Sequence, residues 1–211
     1  MNLVILGPPG AGKGTAAQKL AAQSMIPHVS TGDLFRRAVA EQTEIGTEVR
    51  AVLRRGDLVS DELTVGLVRQ RLSREDARTG FILDGFPRSL TQAEALEGIA
   101  RIDAVLCFDL GDAEIVRRLS GRRVCASCER VFHVEDVPPR TEGVCDACGT
   151  ALIQREDDRV DVIEKRLAVF RCQTQPLVRF YEHSGLLKHV DSSGEPHETF
   201  AKVLEQLHSV P

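Results

Sequence analysis

A glycine-rich segment near the start of the chain, GPPGAGKGT at residues 7–15, limits the folds that are open to this protein. It follows an apolar run at residues 3–6, which is too short for a helix and predicts a buried parallel strand. Helix-forming residues continue after it to residue 22. A strand, a glycine-rich turn and a helix in this order are the context in which such a loop binds nucleotide phosphates, whereas a turn with an incidental lysine is the alternative.

The loop departs at one position from the usual pattern of Gly, four residues, Gly-Lys and then Ser or Thr. Gly14 stands where the Mg²⁺-binding hydroxyl is expected, and Thr15 comes one residue later. Either the match is false, or the metal is held in another way. We expect the Lys13 ammonium and the helix N-terminus to cradle phosphates. The backbone N–H groups that would join them belong to Gly10, Ala11, Gly12, Lys13, Gly14 and Thr15.

Strand-like and helical segments alternate along most of the chain. Apolar runs at residues 81–83 and 104–108, and a weaker one at 187–190, predict further strands with helical patterns between them. The region after Pro27 is predicted to be helical in pieces, broken near Gly46 and Gly56. This alternation predicts a doubly wound α/β fold with a parallel sheet.

Two aspartates offer a replacement for the missing hydroxyl. Asp84 follows the apolar run at residues 81–83, and α/β folds place their ligand sites at the carboxyl ends of strands. Asp33 lies in a second, glycine-containing turn. Because Mg²⁺ keeps several waters when it binds, such carboxylates can hold it through those waters. The alternative for Asp84 is a plain turn residue at the end of a strand.

An inserted segment at about residues 121–158 interrupts the alternation. Its turn residues and short alternating runs predict a small β-rich module. Two C-x2-C pairs, sixteen residues apart, fit a closed tetrahedral zinc site, whose metal is structural and cannot activate water. The predicted ligands are Cys125, Cys128, Cys145 and Cys148. A pair of disulfides is the alternative, which a reducing cytosol disfavours.

Composition excludes several classes of protein. The net charge is −4, and aromatic residues make up 4% of the chain without any Trp, which disfavours a nucleic-acid-binding surface. No run of about 18 apolar residues predicts a membrane span, and no basic segment precedes the first strand. We therefore expect a cytoplasmic protein without membrane or nucleic-acid partners. Cys107 and Cys172 are expected to be buried as small hydrophobic side chains.

The chain resembles the adenylate kinase family in motifs that occur in the same order, namely GPPGAGKGT, STGDLFR, DGFPRSLTQA, GRRVC, and REDD followed by EKRL. The resemblance covers nearly the whole chain, and its cysteines match the long-lid bacterial type with a zinc lid. The phosphate loop of the family reads Gly-Lys-Gly-Thr, which accounts for Gly14. Family members hold the waters of Mg²⁺ with aspartates, which here implies Asp84 and, as a second candidate, Asp33.

The resemblance also implies a function and a division of the chain. It implies reversible, Mg²⁺-dependent phosphoryl transfer from ATP to AMP, which gives two ADP and serves adenine nucleotide homeostasis. It further implies a monomer with a structural Zn²⁺ and three parts: a P-loop kinase core, a helical AMP-binding insertion and a small β-rich zinc-binding lid. The core covers residues 1–29, 60–120 and 159–211 with the phosphate loop at 7–15, the AMP-binding insertion covers 30–59, and the lid covers 121–158.

Individual residues receive roles through the same resemblance. The catalytic set is implied to be Lys13, Asp84, Arg88, Arg122, Arg155 and Arg166. Beyond the loop, the ATP site is implied to contain Arg122, Val131, Phe132 and Gly194, although VDSSGEP around Gly194 departs from the Asp-Gly pattern of the family. The AMP site is implied to contain Thr31, Arg36, Asp57, Leu58, Val59, Gly85, Phe86, Pro87, Arg88, Gln92, Arg155 and Arg166.

Within these sets, the resemblance gives some side chains a particular task. Gln92 matches the residue that reads adenine, and Arg36 matches one that binds the acceptor phosphate. Asp157 and Asp158 are expected to orient arginines instead of acting as bases. His133 is expected to pack within the lid.

Three functions remain open on the sequence. The first is an ATP:AMP phosphotransferase. The second is a related kinase with UMP or CMP as acceptor, or GTP as donor, and Thr31 with Gln92 favours AMP over pyrimidines. The third is a zinc-ribbon interaction module joined to an inactive nucleotide-binding domain, which Lys13, Asp84 and the complete set of arginines disfavour.

Overall fold

The computed structural model describes residues 1–208, and residues 209–211 of the predicted core segment lie outside the described residues. Eight strands occur within residues 1–208: β1 (Asn2–Leu6), β2 (His28–Ser30), β3 (Phe81–Asp84), β4 (Ala104–Asp109), β5 (Arg122–Cys125), β6 (Val131–His133), β7 (Leu152–Ile153) and β8 (Leu187–Asp191). Five of them form a sheet in the order β2-β3-β1-β4-β8. All neighbours in this sheet pair in parallel, which confirms the predicted parallel sheet.

The apolar runs in the sequence became the buried strands of this sheet. β1, β3 and β4 lie in its centre, where their apolar side chains are covered on both faces. The weak run at residues 187–190 forms the edge strand β8. The other edge, β2, was not predicted, because its three residues are too few to show a pattern.

Helices cover both faces of the sheet, as the doubly wound prediction requires. In chain order they are α1 (Lys13–Ser24), α2 (Thr31–Ala40), α3 (Glu44–Arg54), α4 (Asp61–Leu72), α5 (Leu90–Glu97), α6 (Asp112–Ser120), α7 (Val160–Val169), α8 (Pro176–His183) and α9 (Pro196–Leu207). One apolar cluster joins the sheet to α1 and α9, and a second joins it to α4, α5 and α8. No helix within residues 1–208 has the length and hydropathy needed to cross a bilayer.

The helical pieces before α4 do not break at Gly46, as the sequence predicted. α2 ends at Ala40, and α3 begins at Glu44 behind the N-cap Thr43, whose hydroxyl accepts a hydrogen bond from the Gly46 N–H at 3.1 Å. Gly46 lies inside α3, where it contacts α2. A larger residue would not fit there, because its Cβ would overlap the Ala38 carbonyl of α2. Its role is therefore close packing of two helices. The predicted break near Gly56 is confirmed, since α3 ends at Arg54.

The segment with the four cysteines forms a separate, smaller sheet. Its strands pair antiparallel in the order β6-β5-β7. A small core of Cys125, Phe132 and Cys145, with Leu152 packed against it, lies between them. The predicted β-rich module is therefore confirmed. His133 is buried within it, with its ring placed against Gly121, which confirms the expected packing role.

Candidate active site

A cleft at the carboxyl ends of β1 and β3 gathers residues from distant parts of the chain. It lies where α/β folds of this kind bind their ligands. The predicted site residues that line it are Lys13, Thr31, Arg36, Asp57, Leu58, Val59, Gly85, Pro87, Arg88, Gln92 and Arg166. Phe86 does not line it, because its side chain is fully buried in the cluster under α4, α5 and α8.

The phosphate loop closes around the lysine that was predicted to bind phosphates. α1 begins at Lys13, so the first N–H groups of this helix face the loop. Gly12 holds the left-handed conformation (φ 81°) that this turn needs. Lys13 Nζ donates to the carbonyls of Gly7 at 2.8 Å and Pro8 at 2.7 Å. Burial, opposed by the charge of Asp84, lowers the pKa of Lys13 to about 8.

The position of Asp84 accounts for the glycine at position 14. A Cβ on Gly14 would lie only 3.3 Å from Asp84 Oδ2, so the carboxylate occupies the space beside the loop where a serine side chain would extend. His28 Nε2 lies 3.3 Å from the same oxygen. Burial alone would raise the pKa of Asp84, but the hydrogen bond from His28 and the charge of Lys13 outweigh it and lower the pKa. Asp84 is therefore an anion that faces the phosphate loop.

Asp33 supplies a second carboxylate at the start of α2. Its backbone N–H donates to the Ser30 hydroxyl at 3.2 Å, which caps the helix. Its Oδ1 accepts a hydrogen bond from Arg36 at 2.5 Å and lies 4.0 Å from Arg155. Burial alone would raise the pKa of Asp33, but the charge of Arg36 and its hydrogen bond to Asp33 outweigh burial, so the net shift is downward. Its negative charge reaches Asp84, which places both carboxylates on one side of the cleft.

Two of the predicted arginines, Arg122 and Arg166, are held by the two aspartates that were expected to orient arginines. Arg122 donates to both oxygens of the fully buried Asp158, at 2.7 and 2.5 Å. Arg166 lies 2.9 Å from Asp157 and 3.3 Å from Asp158. Arg88 Nε donates to the Gly85 carbonyl at 2.8 Å. These bonds fix the guanidinium groups in place before any substrate contact.

The arginines remain short of negative charge in spite of these partners. Burial lowers the pKa of Arg88 to about 10, and the positive charge of Arg166 adds to this effect. The pKa of Arg155 is lowered to about 10 by burial and by the charge of Arg36. The lowered pKa values show that the positive charges in this cluster lack enough negative partners. A multiply charged anion that binds between the arginines supplies that negative charge and is stabilised by them. Phosphate chains are such anions.

Gln92 is held in a network that the sequence did not predict. The side chain is buried, with Oε1 accepting from the Arg88 N–H at 2.8 Å and Nε2 donating to Asp61 at 2.7 Å. Ser89 donates to the other oxygen of Asp61 at 2.9 Å. No pattern in the sequence assigned Asp61 to the site. Its contact with Gln92 spans 31 positions, which no local pattern reveals.

The residues implied for the adenine of ATP lie away from the cleft described above. Val131 is half exposed on β6, and the Phe132 side chain is buried in the small core of the second sheet. Gly194 follows β8, and its carbonyl accepts a hydrogen bond from Arg118 at 3.3 Å. The Phe132 side chain is therefore not available to contact a ligand.

The four cysteines meet at one point, and the set fits a tetrahedral metal. Sulfur distances are 3.4 Å for Cys125–Cys148, 3.5 Å for Cys128–Cys145 and 3.6 Å for Cys128–Cys148. Four sulfurs at about 2.3 Å from one zinc ion would lie about 3.8 Å apart. A disulfide requires about 2.05 Å, and all four cysteines are free thiols. The disulfide alternative is thus wrong. Of the other cysteines, Cys107 is buried as expected, whereas the expectation for Cys172 is wrong, because it lies exposed in the π-helical segment Phe170–Thr174 between α7 and α8.

Comparison with known proteins agrees with the family that the sequence motifs resemble. The family model described as adenylate kinase matches residues 5–186. An adenylate kinase of Treponema denticola is 53% identical over 192 residues, which cover 91% of this chain and 92% of that protein. An adenylate kinase of Thermosipho africanus is 46% identical over 209 residues, covering 97% and 98%. One of Staphylococcus aureus is 45% identical over 212 residues, covering 98% and 99%.

Proposed function

Because this chain belongs to the adenylate kinase family and transfers a phosphoryl group between ATP and AMP, we propose which of its residues perform each part of that reaction. The reaction needs positioning of two nucleotides and stabilisation of negative charge on the transferred group. The observation that supports the proposal is the cleft itself, in which Lys13, Arg36, Arg88 and Arg166 face one space.

Lys13 and the N–H groups of the loop and of α1 bind the phosphates of ATP. Arg36 and Arg88, on the other side of the cleft, bind the phosphate of AMP. Arg122, Arg155 and Arg166 close over the transferred phosphoryl group, where their planar guanidinium groups pair with its oxygens. Gln92, held by Asp61, reads the adenine of AMP, and Thr31 binds beside it.

Asp84 takes the part of the hydroxyl that the loop lacks. Asp84 would hold Mg²⁺ through its waters, with Asp33 as a second carboxylate nearby. When bound, Mg²⁺ neutralises charge on the phosphates of ATP. His28 orients the Asp84 carboxylate towards the loop. The fit rests on the donor set, since two anionic carboxylates beside a phosphate loop are ligands that Mg²⁺ accepts.

The chain divides into a core, an AMP-binding insertion at residues 30–59 and a lid at 121–158. The insertion contacts the core through Asp57 and Lys165, 2.5 Å apart, and it contacts the lid segment through Arg54 and Glu156, 2.9 Å apart. These ion pairs are exposed and individually weak, so they permit opening and closing. The four cysteines bind one Zn²⁺, which stabilises the lid and takes no part in the chemistry.

The protein works as a monomer in the cytoplasm, with ATP, AMP and ADP as its partners and with adenine nucleotide homeostasis as its role. No nucleic acid or membrane takes part. The supporting observations are the net charge of −4 and four free thiols, which a reducing compartment preserves.

The acceptor is tested by incubating the full chain with Mg²⁺ and ATP together with AMP, UMP or CMP and by resolving the nucleotide products. We expect ADP from AMP, with UMP and CMP converted far more slowly. Gln92→Ala should reduce kcat/KM for AMP more than for UMP, because the loss of the Arg88 and Asp61 contacts affects both acceptors whereas the loss of the adenine contact affects AMP alone. Equal conversion of all three acceptors would contradict the assignment of Gln92.

A further inference from the structure

A second cluster of potential metal ligands lies outside the reaction cleft, at the carboxyl ends of β4 and β8. It contains Cys107, Asp109 and His189, whose ligand atoms all lie within 4.8 Å of one another. Cys107 and His189 are direct partners in the parallel register, and Asp109 follows two residues after Cys107 on the same face. The sheet register therefore brings these three side chains together.

The imidazole of His189 has a carboxylate near each of its nitrogens. Nδ1 lies 2.8 Å from Asp109 Oδ2, inside the cluster, and Nε2 lies 3.8 Å from Glu182 Oε1 of α8. A histidine that binds a metal through one nitrogen typically presents its other N–H to a carboxylate. Glu182 lies on this side of the ring, beyond hydrogen-bond distance but close enough for its charge to act on Nε2, and Nδ1 faces the ligand point between Cys107 and Asp109.

The donor set indicates the class of metal. A thiol, an imidazole and a carboxylate together suit Zn²⁺ or Co²⁺, whereas Mg²⁺ takes oxygen ligands. Three protein ligands leave the fourth position of a tetrahedron open. Asp109 and His189 are about half exposed, so an ion can enter from solution, and Cys107 closes the inner side at 3% exposure.

A catalytic role for Cys107 and His189 fits the cluster less well than metal binding. Burial raises the pKa of Cys107 to about 12, and the charge of Asp109 adds to it. A thiol of this kind is a poor nucleophile, which excludes a catalytic Cys-His pair. The same burial, with Arg179 lining the cleft, makes a metal site here weaker than the four-cysteine site of the lid. Arg171 is paired with Asp112 and adds less positive charge.

We propose that Cys107, Asp109 and His189 form a second site for a Zn²⁺-class divalent cation, with the Glu182 carboxylate beside the imidazole. β8 is an edge strand that pairs with β4 alone in this sheet. A metal between Cys107 and His189 therefore joins the edge strand to the centre of the sheet. Pro8 of the phosphate loop lines the same cleft, which places the site behind the reaction centre.

The test counts metal ions in the full chain. Protein whose lid is loaded with zinc is dialysed against excess Zn²⁺, and metal per chain is measured by elemental analysis. We expect two ions per wild-type chain and one in His189→Ala, while the matched variants His183→Ala and Cys172→Ser keep two. His189 and His183 are both exposed, so neither substitution disturbs the core.

Cobalt gives an independent readout. Co²⁺ added to the zinc-loaded protein should produce a thiolate-to-cobalt absorption band that Cys107→Ser abolishes and Cys172→Ser retains. The second ion should also raise the thermal midpoint of the wild type and leave that of His189→Ala unchanged. One ion per wild-type chain, or a second ion that His189→Ala binds with the same occupancy, would overturn the proposal.

Discussion

At the scale of single residues, the reaction cleft depends on cations that the protein only partly neutralises. Arg88 and Lys13 are surrounded by further positive charge, and burial lowers the pKa of both. Asp84 is the carboxylate that acts on Lys13 most strongly. The phosphates and Mg²⁺ would therefore bind in a site that already holds charges of opposite sign, cations for the phosphates and carboxylates for the metal. Asp84 is the residue that interacts with both the metal and Lys13.

The substitution Asp84→Asn tests this double role. It keeps the size of the side chain and removes its charge, so we expect a folded protein whose Mg²⁺ activation curve shifts to higher concentration. Turnover at saturating Mg²⁺ should fall by about 10²- to 10³-fold. The control is Asp161→Asn on the exposed side of α7. An unchanged Mg²⁺ titration of Asp84→Asn would show that the carboxylate does not hold the metal.

Gly14 allows a second test at this scale. Gly14→Ser restores the usual loop pattern, but its Cβ would lie 3.3 Å from Asp84 Oδ2. We expect the serine to displace the carboxylate and to lower turnover between about tenfold and a hundredfold. Gly66→Ser is the matched control, because Gly66 in α4 has open space around it. Turnover of Gly14→Ser at the wild-type level would mean that Asp84 and the hydroxyl position are independent.

At the scale of elements, local sequence patterns predicted the strands and clusters whose residues lie close together in the chain. Runs of four or more apolar residues in β1 and β4 identified the central strands, and β2 was too short to do so. The break between α2 and α3 was misplaced because Gly46 resembles a helix breaker, whereas it serves close packing against Ala38. The spacing of the cysteines predicted their cluster. Each C-x2-C pair already brings two ligands together, so only the meeting of the two pairs depends on the fold.

The metal of the lid leads to a prediction about this element. The lid has a small apolar core around Phe132 and Leu152, so we expect a bound metal to supply much of its stability. Chelation, or Cys128→Ala, should lower the thermal midpoint. Where the lid stays folded, turnover should fall by no more than about tenfold, because the metal does not touch the phosphates.

Metal content, melting and turnover should be measured on the same samples, with Cys172→Ser as the control thiol. A metal-free protein that melts like the wild type would contradict the stabilising role. A folded but inactive one would contradict the separation of zinc from the chemistry.

At the scale of the whole molecule, the sequence predicted the parallel sheet and many residues of the reaction cleft. It predicted fewer of the side chains that hold those residues in place. Lys13, Arg88 and Arg166 were identified from motifs, and they line one cleft. Asp61, which holds Gln92, and the Cys107–His189 pair could not be found, because their contacts depend on sheet register and on chain crossings. Such contacts follow from the assembled fold and leave no local pattern.

The buried lysine makes the stability of the whole chain depend on pH. Burial lowers the pKa of Lys13 from 10.5 to about 8, so between these values the unfolded chain binds more protons than the folded one. The free energy of unfolding of the wild type should therefore rise with pH through this window, relative to Lys13→Met. Urea unfolding of both proteins across the window measures the difference, and parallel curves would contradict the shifted pKa.

Turnover of Lys13→Met decides whether the cleft works as proposed. The protein should be folded and should bind AMP with the wild-type Kd, because Arg36 and Arg88 line the acceptor side. With saturating ATP, AMP and Mg²⁺, we expect kcat to fall by at least about 10³-fold. Near-normal kcat in a folded Lys13→Met protein would contradict the assignment of the phosphate loop as the donor site.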